Sequence, residues 1–260
     1  MRRFIQKSYM GLVFGFLYLP IAYLIFFSFN SGKSKVIFSG FSFKNYVNLF
    51  QDEQIMQALL NTLIIAAISS VVATILGTMA AIGIQRLRKL PRNAIMNITY
   101  MPVLNPDIIT GVSMMLFFSV LGISLGYGTV LLAHITFNIP YVILAISPKL
   151  RQMDVSVYEA AMDLGASPTV AFRKAILPQI MPGIISGFMM ALTLSVDDFV
   201  VTFFLKGVEV ETLATVIYTT TKTRINLSMN ALCGVMVIVV LIILIIANLP
   251  AKQNAKKREE

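Results

Sequence analysis

Charged residues are scarce in this chain: Asp, Glu, Lys and Arg make up 13% of its 260 residues, where soluble globular domains carry roughly 25%. That excludes an ordinary water-solvated surface. Cysteine is almost absent, with Cys233 alone in a late apolar run, so neither a disulfide framework nor a thiol-rich metal site is available. A phosphate-binding loop is also lacking. The pattern G-x-x-x-x-G-K-S/T needs its first glycine for the turn whose amides cradle phosphate, but Ser31-Gly32-Lys33-Ser34 has Phe27 at that position. No internal repeat and no low-complexity tract stands out, and the only linker-like stretches are 31–57 and the tail after Leu249.

What fills the chain is hydrocarbon: 57% of residues are hydrophobic and the mean hydropathy is +0.80. A bilayer core of ~30 Å needs about 20 apolar residues per helix, and runs of that length occur at 9–29, 58–84, 95–121, 127–146, 181–205 and 231–249. The expectation is an all-α, polytopic membrane protein with six spanning helices. Pro102 and the Asn105-Pro106-Asp107 turn signal interrupt the third run, which predicts a broken or late-starting helix there. Arg2-Arg3 before the first run imitates a signal peptide, but no small-x-small cleavage site precedes Asn30. The run is therefore expected to be a retained helix, and residues 1–260 a single transmembrane domain with a basic tail at 250–260.

Basic residues favour the cytoplasmic side of membrane segments. With both termini inside, fifteen of the twenty-one Lys and Arg lie inside, including Arg86, Arg88, Lys89, Arg92, Lys149, Arg151, Arg173 and Lys174. Only Lys33, Lys35, Lys44, Lys206, Lys222 and Arg224 fall outside. The net charge of +9 thus sits at membrane edges, which suits anionic lipid and not nucleic acid.

Residues 159–178, EAAMDLGASPTVAFRKAILP, form a polar interruption on the cytoplasmic side. Tyr158, Ala161, Met162 and Leu164 give a short helix an apolar face, Gly165 supplies a left-handed cap, and Ser167-Pro168 opens a second helix. Glu159, Asp163, Arg173 and Lys174 add charge of both signs, as expected of a surface that selects a partner. The spacing E-A-A, three residues, G, nine residues, I-x-L-P resembles the cytoplasmic loop of permease subunits of bacterial ATP-driven (ABC) importers. Glu159, Ala160, Ala161, Gly165, Leu177 and Pro178 match it, while Ala175 stands at the isoleucine position. The resemblance extends along the whole chain to the polyamine branch of these importers. It implies spermidine and putrescine as cargo, a bacterial inner-membrane location, a homologous second permease, and an external polyamine-binding protein. It also implies two separate ATPase subunits that carry the ATP and Mg, with the 149–179 loop coupling to them and no cofactor or catalysis on this chain.

Within the apolar runs stand Asp107, Asp197 and Asp198. Such residues cost about 2.5–3.5 kcal/mol each on insertion scales and usually face a cavity, a partner or a pathway. Polyamines are flexible cations, so spaced carboxylates with aromatic walls, such as nearby Phe199, Phe203 and Phe204, suit them. Asp107 alternatively caps a helix beginning at Ile108. Asp197 and Asp198, taken as helix neighbours about 100° apart, are expected to split between lining the path and bonding a neighbouring helix, and the resemblance favours Asp198 for the path. His134 is expected to be an interhelical hydrogen-bonding residue, Tyr100, Tyr141 and Tyr218 interfacial anchors, the Met114-Met115 and Met189-Met190 pairs packing, and Gly77, Ala81, Gly183 and Gly187 close-approach sites. Three alternatives remain open. Permeases for other solutes share the architecture, although anionic cargo is awkward for these carboxylates. A self-sufficient secondary transporter would need its own coupling-ion site and internal repeats. An intramembrane enzyme would need a carboxylate dyad that consecutive helix positions do not form.

Overall fold

The computed structural model describes residues 2–32, 34, 36–208, 210–223 and 228–238. Among the described residues there are helices and one isolated bridge, Asn30 to Phe41, but no strand. The helices are α1 (Arg2–Ser28), α2 (Lys44–Gln51), α3 (Glu53–Gln85), α4 (Lys89–Leu104), α5 (Asp107–Val120), α6 (Tyr127–Gln152), α7 (Ser156–Asp163), α8 (Pro168–Ala171), α9 (Leu177–Asp197), α10 (Val200–Leu205) and α11 (Leu213–Thr223). A short apolar helix, Ser228–Ile238, follows.

Among the described residues four segments are long and apolar enough to span a membrane: Gln6–Ser28, Glu53–Gln85, Tyr127–Gln152 and Pro168–Asp197. The pair α4 and α5, bent by 102° at their break, passes the same test only when taken together, as one broken span or a re-entrant loop. That break falls at Asn105-Pro106, where a turn signal was expected; Pro102 itself stays inside α4. Of the sixth expected run, only Ser228–Ile238 is seen, since 239–249 and the basic tail lie outside the described residues, as do Lys33, Lys35 and Arg224. The fifth run needs correction. Its helix starts well before 181 and stops at Asp197, and after Asp198-Phe199 the chain resumes as the six-residue α10.

The chain divides into two compact units. In the first, formed by 1–56 and 217–260, Asn30 organises the loop after α1. Its Nδ2 donates to the Ser34 and Ile37 carbonyls, both at 2.9 Å, and its Oδ1 accepts the Ser39 amide at 2.8 Å. Ser31, Gly32 and Ser34 thus lie in a loop tied to an asparagine. In the second unit, 57–216, α6 packs between α3 and α9. A Cβ on Gly77 of α3 would lie 2.7 Å from Val142 Cβ, and one on Gly187 of α9 would lie 3.3 Å from Val142 Cα. In lipid, such close approach supplies the packing that water-driven burial cannot. Hydroxyls in the hydrocarbon region bond back to their own helix, as Thr74 Oγ1 does to the Ser70 carbonyl at 2.6 Å.

Candidate functional site

The polar loop begins with Asp154, whose carboxylate accepts the Ser156 amide at 2.9 Å and the Ser156 hydroxyl at 2.7 Å. These bonds hold the Asp154 carboxyl below its ordinary range. The stabilisation they lend the start of α7 is therefore fully present above the ordinary carboxylate pKa and is lost as pH falls through the depressed one. α7 ends as the motif predicts. Gly165 has φ +84, its amide donates to the Met162 carbonyl at 2.9 Å, and the Ala166 amide donates to Ala161 at 3.1 Å, a Schellman closure. Glu159, Ala160, Gly165 and Pro178 are exposed, with Ala161 and Leu177 half-buried. Leu164, expected on the apolar face, is 89% exposed.

The second helix of the loop differs from expectation in two ways. Ser167 occupies the cap position with extended backbone but makes no side-chain cap hydrogen bond. Beyond Pro168 the chain runs through α8 and a π-helical segment, Phe172–Ile176, directly into α9, so the loop's second arm and the next membrane span are one helix. Ala175, at the motif's isoleucine position, is buried in that π segment, where the missing bulk meets the chain's own packing and not a docking surface. Gln179 ties the arms together, accepting the Asp154 amide at 3.1 Å. Sequence reading missed both Asp154 and Gln179; the Asp-x-Ser spacing before α7 was a usable capping signal.

In the second unit a cavity of about 190 Å³ brings together the three membrane aspartates. Asp107 enters from the start of α5, Asp197 from the end of α9 and Asp198 from the break, with Phe137 and Tyr141 of α6, Phe199 and Pro102 as walls. Asp107 occupies the first position of α5, the cap being Pro106, so it does not cap a helix beginning at Ile108. Tyr141, expected at an interface, lines this cavity instead. Phe203 is 43% exposed, and Phe204 faces Gly111 of α5, where an added Cβ would lie 3.0 Å from its ring.

Asp197 and Asp198 are not consecutive residues of one helix, because α9 terminates between them. Asp197 is exposed. Asp198, with its side chain 8% exposed, accepts the amides of Val201 at 3.2 Å and Thr202 at 2.8 Å and the Thr202 hydroxyl at 2.7 Å, capping α10. His134 bridges the break: its Nε2 is 2.9 Å from Thr202 Oγ1 and 3.4 Å from Asp198 Oδ2, and its Nδ1 is 2.6 Å from Ser195 Oγ, which is 3.0 Å from Ser69 Oγ. The Asp198 carboxylate only accepts, so Thr202 donates to it and accepts from His134 Nε2–H. The geometry thus spends Asp198 on holding the break, while Asp107 and Asp197 present carboxylates to an aromatic-walled space. Among the described residues no group of three or more His, Cys, Asp or Glu is placed to hold a metal ion.

Residues 73–252 match the family described as "Binding-protein-dependent transport system inner membrane component". The chain is 36% identical to the "Spermidine/putrescine transport system permease protein PotC" of Haemophilus influenzae, over 97% of this chain and 98% of that protein. It is 40% identical to the "Putrescine transport system permease protein PotI" of Escherichia coli, over 84% and 80% respectively. Among solved structures it resembles a chain of a bacterial ABC transporter involved in import of the acidic polysaccharide alginate, with TM-score 0.72 and 20% identity over 97% of this chain and 96% of that one. It also resembles a chain of the MetNI methionine ABC transporter, with TM-score 0.59 and 19% identity over 75% and 95%. The chain therefore belongs to the family of binding-protein-dependent transport system inner membrane components, as a multi-pass ABC permease subunit that is a transport component and not an enzyme.

Proposed function

We propose that this permease carries polyamines, spermidine and putrescine, into the cytoplasm, powered by separate ATPase subunits that engage its 159–178 loop. The observation that carries the cargo assignment is the cavity shared by Asp107 and Asp197 with Phe137, Tyr141 and Phe199. A flexible chain bearing two or three ammonium groups needs separated carboxylates for its charges and aromatic faces for its methylenes and cations. The printed names of PotC and PotI agree with that chemistry. On this proposal residues 1–260 act as one permease domain with both termini cytoplasmic, pairing with a homologous permease to frame the path. An external binding protein delivers cargo, and ATP and Mg act on the ATPases, with none bound here. The exposed Glu159, Ala160 and Gly165 form the docking knob, with Ala161, Leu177 and Pro178 shaping it.

The test is uptake of labelled spermidine by vesicles holding the assembled importer and binding protein. ATP-dependent uptake competed by putrescine and spared by sulfate is expected. Uptake competed by sulfate, or uptake by this chain alone without ATP, overturns the proposal.

A further inference from the structure

Two prolines stand inside helices that meet beside the aspartate cavity, Pro102 in α4 and Pro140 in α6. Proline has no amide hydrogen, so the carbonyl four residues earlier loses its helical donor. Here those carbonyls belong to Ile98 and Thr136. At membrane depth a freed carbonyl is tolerated where protein, water or a water-filled cavity satisfies it. Ile98 and Thr136 line one and the same groove, of about 340 Å³, built from α4, α5 and α6. Both residues are exposed. Asn105, at the break between α4 and α5, and Ser113 of α5 bring an amide oxygen and a hydroxyl to the same groove. Among the described residues none that lines it is charged. The groove adjoins the aspartate cavity, since the two share Pro102, Thr110 and Phe137. Carboxylates in one space are therefore followed by neutral oxygens in the next.

We propose that this groove is the subsite for the far ammonium group of the cargo. While Asp107 and Asp197 hold one ammonium, the methylene chain passes Phe137, and the next ammonium donates to the proline-freed carbonyls of Ile98 and Thr136 and to Asn105 and Ser113. The chemistry suits a cation in transit. An ammonium group has three hydrogens to donate and nothing with which to accept, so a cluster of neutral oxygens satisfies it without any acid. Such oxygens hold it less tightly than a carboxylate does, which lets the far end move on first. The subsite also selects. A monoamine of the same length anchors at the aspartates but gives the groove no donor, and a site built to bond an N–H rejects the analogue that lacks it.

This inference rests on the polyamine import reading, which the unsubstituted complex tests by itself: absence of spermidine uptake there overturns that reading and the subsite with it. The subsite is tested in the assembled importer with Pro102→Ala and Pro140→Ala, each of which returns an amide hydrogen to its carbonyl. Pro20→Ala makes the same change in α1, away from the groove. The first two are expected to lower spermidine uptake roughly tenfold or more while keeping or raising the thermal midpoint, because a helix regains its bond; Pro20→Ala is expected to match the parent. Occupancy is read from Ser113→Cys in a Cys233→Ala background, labelled with N-ethylmaleimide in the purified complex. Excess spermidine should slow that labelling roughly threefold or more and excess butylamine should not, and Pro102→Ala should remove the protection. Intact uptake with labelling that spermidine leaves unchanged overturns the subsite while the import reading stands. So does a Ser113→Cys that the reagent never reaches, since the groove is then covered by protein. Uptake losses that track a lowered midpoint, or that Pro20→Ala reproduces, overturn it too.

Discussion

Three aspartates share one cavity but differ in what their oxygens already bind. Asp198 is committed to the α10 amides, Thr202 and His134, whereas Asp107 and Asp197 are exposed to the cavity. Neutralising a carboxylate that holds an ammonium group removes a charge-assisted contact of about 1.5–3 kcal/mol, so Asp107→Asn and Asp197→Asn are each expected to weaken spermidine uptake by roughly ten- to hundredfold. Assembly and thermal midpoint should stay as in the parent, as measured by concentration-dependent uptake alongside melting of the purified complex. Asp198→Ala should behave differently, lowering the midpoint through loss of a cap worth about 1–2 kcal/mol. A variant with impaired uptake but full stability would place Asp198 in the path instead. The presence of intramembrane carboxylates was legible from composition. Their division of labour was not, because it depends on His134, which approaches Asp198 only through folding.

Among the elements, the motif loop was the most legible, since a glycine at a helix end is decided by local backbone chemistry. Gly165, at φ +84, has open space around the position of a Cβ. Gly165→Asp therefore strains the backbone by about 1–2 kcal/mol without clashing and places a charge on the exposed knob. The expected outcome is an inserted, assembled subunit with uptake and transport-coupled ATP hydrolysis abolished; unchanged uptake would contradict the coupling role. The Asn105-Pro106 break could be read because proline removes a donor and biases the residue before it. The break at Asp198 could not. Its flanking residues, Ser195-Val196 and Phe199-Val200, carry no turn signal, and the carboxylate that ends one helix and starts the next is held from α6. The π segment at Phe172–Ile176 was equally silent, since an extra residue in a helical turn leaves no mark on the hydrophobic pattern.

For the whole molecule, the account joins a loop, a helix and a cavity into one mechanical line: the 159–178 knob leads into α9, and α9 ends at Asp197 in the cavity wall. Its central claim is that the knob is where an ATPase takes hold. The most direct measurement replaces exposed Ala160 by cysteine in a Cys233→Ala background and identifies crosslinked products in the assembled importer with and without ATP. The account predicts a product containing the ATP-hydrolysing subunit, with a yield that changes when ATP is bound. Products that never include that subunit would contradict it.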